Sequence, residues 1–294
     1  MSPEISVVVP CYNSATALPE LCDRLRATLS DRSDDAYEIL LVDDRSADDT
    51  WAAISRLAAA HPQVVGLRLG QNSGQHLATL RGLAEARGAV LVTMDDDLQH
   101  RPEHLPDALA ALTPGTVVFA CPVARTHKRW RRVASAIWNV PASLLLAKPV
   151  RLRLVAFRVF DRSVCERLLR TPARRPMVST MLLRAADEVR AVQTAAGEAQ
   201  LPSRYSTTDL LRIATAYSSG VSVSRLRLIG SAALGAGVAL RRGRPRGARL
   251  VAGAGAAVLA ASHALALARR RGTPVVLPDV AESTRELSRR QPAD

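Results

Sequence analysis

Short β-branched apolar runs alternate with stretches of helical periodicity through residues 5–120. Ile5–Val9, Glu38–Val42, Val64–Leu69, Val90–Met94 and Thr116–Ala120 have the length and composition of buried strands. Between them, Ala17–Leu29 places Leu18, Leu21, Leu25 and Leu29 on one helical face. Asp48–Ala60 predicts a second helix with acidic residues in its first turn, where the helix dipole favours them. Gln75–Ala86 predicts a third, and Glu103–Leu112 a fourth behind Pro102, which suits a first-turn position. Strands alternating with helices in this order predict an α/β fold, a mostly parallel sheet with helices on both faces.

Beyond about residue 125 the pattern changes. Trp130–Leu146 reads as a basic amphipathic helix, Val155–Phe160 as a further strand and Ser163–Leu169 as a helix. Ser206–Tyr217 opens on Ser206, Thr207, Thr208 and Asp209, a helix start. Ile229–Leu240 and Leu250–Ala268 are built almost wholly of Ala, Gly, Val and Leu. The second is about long enough to span hydrocarbon, which needs roughly 20 apolar residues. Both read as membrane-associated helices rather than a buried Ala-rich hairpin, because arginines flank them. Arg241, Arg242, Arg244, Arg246 and Arg249 lie between them, however, and a two-span hairpin would place that loop outside, against the positive-inside tendency. A first segment lying in the membrane plane is the alternative. The chain divides into a domain over 1–200, a juxtamembrane amphipathic helix over 201–222, two apolar segments over 223–271 and a polar, poorly ordered tail over 272–294.

Charge follows the same division. Residues 1–100 carry 8 basic and 15 acidic side chains, residues 101–200 carry 17 and 7, and residues 201–294 carry 15 and 5. The basic two-thirds should seek anions: nucleotide phosphates, lipid phosphates or an anionic bilayer. Nucleic acid is not expected as a partner, because aromatics make up only 3% of the chain and stacking platforms are scarce. Cys11, Cys22, Cys121 and Cys165 have no metal-ligand spacing and read as small buried hydrophobes. No secretory signal precedes the first strand, so the front of the chain is expected in the cytoplasm.

The chemistry concentrates at the strand ends. Val90–Met94 stops abruptly at Asp95-Asp96-Asp97. Open α/β sheets bind ligands at the carboxyl ends of their strands. Carboxylates one residue apart there can share a hard divalent cation on a substrate's phosphates; a solvated acidic turn is the plainer alternative.

Three more strand ends carry marked residues: Pro10-Cys11-Tyr12-Asn13, Val42-Asp43-Asp44-Arg45-Ser46-Ala47-Asp48-Asp49-Thr50 and Gln71-Asn72-Ser73-Gly74-Gln75-His76. With Asp95-Asp96-Asp97-Leu98-Gln99, this ordered set resembles family 2 glycosyltransferases of the GT-A fold. The polyprenyl-phosphate branch, with its dolichol-phosphate mannose synthases and undecaprenyl-phosphate sugar transferases, is most similar. That branch carries V-P-x-Y-N, V-D-D-x-S-x-D-x-T, N-x-G and D-x-D-L-Q in this order. The resemblance is strong over about residues 4–125 and continues weakly to about 240, where Phe157-Arg158 and Ser203-Arg204-Tyr205-Ser206 echo its F-R and S-K-Y-S segments.

The resemblance implies a GT-A domain and a C-terminal helical membrane-associated region. It implies an inverting, metal-dependent transfer of a sugar from a nucleotide diphosphate to a polyprenyl phosphate at the cytoplasmic membrane face. Asp95 and Asp97 would hold Mg²⁺ or Mn²⁺, with Gln99 close by. Pro10, Tyr12, Asn13, Asp43, Asp44, Asn72, Gly74 and Asp96 would line the nucleotide-sugar site, Asp96 in the variable middle position. Arg125, Arg158 and Arg204 would meet donor or lipid phosphate. His76, at a helix start, is expected to be structural. The sugar, the base and any self-association are left open. Three departures stand out: Ser14 replaces a glutamate, Leu201 a glycine, and Ala156 an acidic residue that precedes Phe-Arg in some members. A hydroxyl acceptor would need a general base, and a lipid phosphate would not, since its second pKa near ~6 leaves it largely ionised at neutral pH.

Overall fold

In the computed structural model the described residues are 3–33, 36–122, 154–172, 177–195, 231 and 275–285. β1 (Ile5–Cys11), β2 (Tyr37–Asp43), β3 (Val64–Leu69) and β4 (Val90–Thr93) are parallel, in the order β3-β2-β1-β4. β5 (Thr116–Pro122), β6 (Arg158–Asp161) and β7 (Glu188–Thr194) extend the sheet beyond β4 in the order β6-β5-β7. β6 runs antiparallel between β4 and β5, and β7 is parallel to β5. β8 (Val280–Ser283) closes the opposite edge, antiparallel to β3.

Both faces of the central strands are buried, because successive side chains point to opposite sides. Val7, Val9, Ile39 and Leu41 pack with α1 (Leu18–Ser33), α2 (Thr50–Ala60) and α4 (Leu105–Ala110). Val8, Leu40 and Val42 pack with α3 (Gln75–Glu85), α5 (Arg162–Arg170) and α6 (Val178–Ala185). Leu18, Leu21, Leu25 and Leu29 of α1 are all fully buried, as their spacing predicts. The four cysteines are free and buried.

Several expectations are corrected. The expected 48–60 helix begins at Thr50, so no acidic residue lies in its first turn; Asp48 precedes it and accepts from Thr50 N at 3.1 Å and Thr50 Oγ1 at 2.5 Å. The helix expected over 103–112 is a 3₁₀ turn at Pro102–His104 followed by α4. The strand expected over 155–160 starts at Arg158, three residues later, and enters antiparallel. Nor is the tail wholly unordered: Val280–Ser283 pairs with β3, so the sheet reaches into the final polar segment. Among the described residues no helix is long and apolar enough to cross a membrane. The apolar stretches 229–240 and 250–268, and the helices expected over 130–146 and 206–217, lie outside the described residues, Ser231 excepted.

Candidate active site

The parallel register sets the strand ends side by side. Cys11 stands opposite Asp43 across β1 and β2, and Val8 opposite Thr93 across β1 and β4. Three non-glycine residues just past these ends take the left-handed conformation: Asn13 (φ 51°), Arg45 (φ 60°) and Leu98 (φ 59°). Such backbones are costly and concentrate at functional sites. Local hydrogen bonds hold them. Asn13 N donates to Ser46 Oγ at 3.0 Å, and Asn13 Oδ1 accepts from Ala47 N at 3.0 Å, tying the β1 loop to the β2 loop.

At the end of β2 both carboxylates are engaged. Asp43 is fully buried and accepts from Ser46 N at 3.0 Å through Oδ1. Its Oδ2 makes no hydrogen bond but lies 3.3 Å from Arg68 Nε as an ion pair. A buried carboxylate oxygen left without a hydrogen bond calls for an explanation, and a ligand donor supplies one. Asp44 accepts from Ser73 N and Gly74 N, each at 2.7 Å, one on each oxygen. Burial nevertheless raises its pKa. Gly74 takes φ 87°, which only glycine adopts readily, and this turns its N–H toward Asp44. Asn72 is exposed beside this turn, as is Tyr12 at 42%.

The end of β4 is different. Gln75 Nε2 donates to Asp95 Oδ1, Tyr12 N donates to Asp96 Oδ2 at 3.2 Å, and Gln99 N donates to Asp97 Oδ1 at 3.0 Å. Burial pushes the Asp95 carboxyl up to about 7; Asp97 and Asp96 push the same way, and Arg158 and Gln75 oppose them. A small cavity beside Asp95 is lined by Pro10, Gln75, His76, Thr93, Ala156 and Arg158, among others. Arg158 is 5% exposed, donating to Thr93 Oγ1 at 3.2 Å and Ser179 Oγ at 2.8 Å. Burial and Arg158 lower the His76 ring to about 4, so it is neutral near pH 7.

Residues 6–169 match the profile named Glycosyl transferase family 2. The chain belongs to glycosyl transferase family 2. Over 244 residues it is 32% identical to undecaprenyl-phosphate 4-deoxy-4-formamido-L-arabinose transferase of Pseudomonas aeruginosa (strain LESB58), covering 80% of this chain and 70% of that one. A protein of the same name from Shewanella sediminis (strain HAW-EB3) is 42% identical over 113 residues, 38% of this chain and 34% of that one. Among solved structures, the mannosyltransferase PcManGT from Pyrobaculum calidifontis, in complex with GDP-Man and Mn²⁺, gives a TM-score of 0.52 at 22% identity, covering 94% of this chain and 77% of that one. Glucosyl-3-phosphoglycerate synthase from Mycobacterium tuberculosis, in complex with Mn²⁺ and UDP-glucose, gives 0.52 at 19% identity, covering 76% and 79%. At these identities the structural likeness speaks for the GT-A-like α/β fold.

In this family 2 glycosyltransferase the fold brings Pro10, Tyr12, Asn13, Asp43, Asp44, Asn72, Gly74 and Asp95 to Gln99 to the carboxyl ends of four neighbouring parallel strands. It gives them unequal duties. Asp44 is a clamp on the Ser73-Gly74 turn, and Asp96 is turned to the β1 loop. Arg158 lines the cavity beside Asp95, buried and donating to two hydroxyls. Arg125 and Arg204 lie outside the described residues. Gln75, which sequence reasoning did not single out, and His76, expected to be structural, both open α3 and line the cavity beside Asp95. Ser14, the glutamate replacement, is buried with no partner for Oγ, while its N–H donates to Thr50 Oγ1 at 2.8 Å.

A divalent cation suits the donor set. Among the described residues no three His, Cys, Asp or Glu side chains converge as a complete metal cage. Mg²⁺ does not need one, since it is held by one or two carboxylates with substrate phosphates and water. Burial and the neighbouring carboxylates raise the Asp95 carboxyl despite Arg158, and a bound cation would favour its charged form.

Proposed function

We propose that the chain transfers a sugar, with inversion, from a nucleotide diphosphate to a polyprenyl phosphate of the undecaprenyl type, using Mg²⁺ or Mn²⁺ at the cytoplasmic face of the cell membrane. The observation that carries this reading is the pairing of two unlike carboxylate sites at the carboxyl ends of β2 and β4. Asp43 offers a buried acceptor with an unused oxygen, suited to a base or ribose donor. Asp95 and Asp97 offer concentrated negative charge, suited to a cation on the pyrophosphate. A bound cation would neutralise the departing diphosphate. Gln75 would orient Asp95, and Gln99 N–H would orient Asp97. The backbone clamps at Asn13 and Asp44 would fix the distance between the two sites.

The acceptor assignment draws on the relatives named as undecaprenyl-phosphate transferases. It agrees with the chemistry of the cavity. Ala156 lines it where some members place an acid, and a phosphate nucleophile is already ionised. The return of β8 to β3 puts residues 280–283 on the same side of any membrane as the donor site. Apolar segments between them would then enter and leave the bilayer on that side.

The test is a donor panel that includes UDP-4-deoxy-4-formamido-L-arabinose, UDP-glucose and GDP-mannose, with Mn²⁺ and undecaprenyl phosphate, read by mass spectrometry of the lipid. A lipid-linked sugar from one donor is the expected result. Transfer to soluble hydroxyl acceptors, with none to the lipid, would replace the acceptor assignment.

A further inference from the structure

The C-terminal strand reaches the donor site through three side chains. Glu282 on β8 accepts from Arg68 Nη1 at 3.0 Å through Oε1 and from Trp51 Nε1 at 2.9 Å through Oε2. Arg68 on β3 lies with its guanidinium 5.7 Å from the Trp51 ring centroid, a cation–π distance. On its other side Arg68 Nε stands 3.3 Å from Asp43 Oδ2. Glu282 therefore holds the guanidinium directly and also fixes Trp51, the ring that the guanidinium lies over. The rest of the strand is anchored separately: Gly70 N donates to Asp279 O at 3.0 Å, Gly66 N to Thr284 Oγ1 at 2.8 Å, and Arg285 to Glu38 and to Glu85 O.

Asp43 has one oxygen held by Ser46 N–H and one that, among the described residues, only Arg68 addresses. A guanidinium offers its donors in a fixed plane, so its orientation decides which face of that oxygen stays open. Held by Glu282 and stacked on Trp51, Arg68 neutralises the carboxylate while leaving it without a hydrogen bond. Released from Glu282, the long side chain can swing and compete for that oxygen, or leave the charge uncompensated.

We infer that Glu282 is a positioning residue for nucleotide binding: the C-terminal strand completes the donor site by holding Arg68 against Asp43. The inference rests on the reading of Asp43 as a nucleotide contact given above. It assigns a role in donor recognition to a residue 214 positions from Arg68 in the sequence.

The experiment uses the full-length protein in detergent, with UDP, GDP and CDP in the presence of Mn²⁺ as calorimetric probes. Glu282→Gln keeps the size of the side chain and should weaken the nucleotide that the wild type binds by about threefold to tenfold. In the active protein it should raise donor KM by the same factor, with kcat and acceptor KM unmoved. Thr284→Val, which loosens the same strand away from Arg68, should leave donor affinity unchanged. In an Asp43→Asn background Glu282→Gln should add nothing further, because its action passes through that carboxylate. Wild-type affinity in Glu282→Gln, an equal loss in Thr284→Val, or an additive loss with Asp43→Asn would each overturn the inference. If the wild type binds none of the three nucleotides but Asp43→Asn leaves turnover intact, the donor-site reading fails first and takes this inference with it.

Discussion

β2 and β4 both end in adjacent aspartates, and the protein treats the two clusters in opposite ways. At β2 each carboxylate is answered from within the chain, Asp43 by Ser46 N–H and Arg68, Asp44 by two backbone N–H groups. At β4 three carboxylates crowd together, and burial with like charge pushes one of them up to about 7. Internally answered carboxylates are rigid and can hold a neutral donor such as a base or ribose hydroxyl in one place. Under-compensated carboxylates hold free energy that a cation releases on binding. One motif, a strand running into Asp-Asp, thus stands in two electrostatic settings, and what separates them is the third carboxylate and the burial of Asp95 among like charges.

The sharpest way to break this contrast is to remove charge from β4. Asp97→Ala should lower the rate of lipid-linked sugar formation by about 10³-fold or more. Its melting temperature without metal should fall little, since the lost bond from Gln99 N–H is offset by relief of like charge at Asp95. Normal turnover would sink the metal assignment. The counterpart at β2 is Asp44→Ala, which leaves the N–H groups of Ser73 and Gly74 without their acceptor. Two lost bonds of this charge-assisted kind should cost about 2–4 kcal/mol. Chemical denaturation would show it as a lower midpoint at unchanged slope. If Asp44→Ala abolished nucleotide binding without loss of stability, Asp44 would be a ligand contact and the assignment of it as a clamp would fail.

The contrast was only half legible in the sequence. Strand ends at Asp43 and Asp95 follow from apolar runs that stop in acid, and α1 follows from the spacing of Leu18, Leu21, Leu25 and Leu29. Division of labour within each cluster does not follow. Asp44 and Asp96 are distinguished from their neighbours by hydrogen bonds to Ser73, Gly74 and Tyr12, which are distant in sequence. Arg158, a phosphate candidate through the resemblance of Phe157-Arg158 to an F-R segment, lies on an antiparallel strand between β4 and β5 that carries it into the interior, where it lines the cavity beside Asp95. β8 was hidden for another reason. Val280-Ala281-Glu282-Ser283 is short, half polar and without a buried residue, and an edge strand needs only one partner. Its partners are β3 and the Trp51–Arg68 pair, and no local pattern announces those.

A finer test asks whether β4 is strained by its own charge. Asp95→Asn removes a carboxylate that burial, Asp97 and Asp96 all disfavour, and the amide can still accept from Gln75. Without metal at neutral pH the variant should melt about 2–4 °C above the wild type, as expected for roughly 1 kcal/mol in a domain of this size. Added Mn²⁺ should raise the melting temperature of the wild type and not of the variant. An Asp95→Asn protein less stable than the wild type without metal would mean that the fold already compensates the cluster, and the contrast with β2 would disappear.

The smallest effect concerns the neutral side of the same cavity. His76 has its pKa lowered from 6.5 to about 4, first by burial and then by Arg158. The unfolded chain therefore binds a proton near pH 6.5 that the folded chain refuses until about pH 4. Stability from this group is complete above pH 6.5 and is lost as pH falls toward 4. Between pH 7 and 5 the loss should be about 1 kcal/mol, allowing for water at a partly exposed ring. Asp48 and Asp161 have lowered pKa values and destabilise at lower pH, while Asp95 works in the opposite sense, so the useful quantity is a difference. His76→Gln should show a shallower fall of the denaturation midpoint from pH 7 to pH 5 than the wild type. Equal slopes would mean that the ring accepts its proton in the folded state, and that the Arg158 side of the cavity tolerates more positive charge than its burial implies.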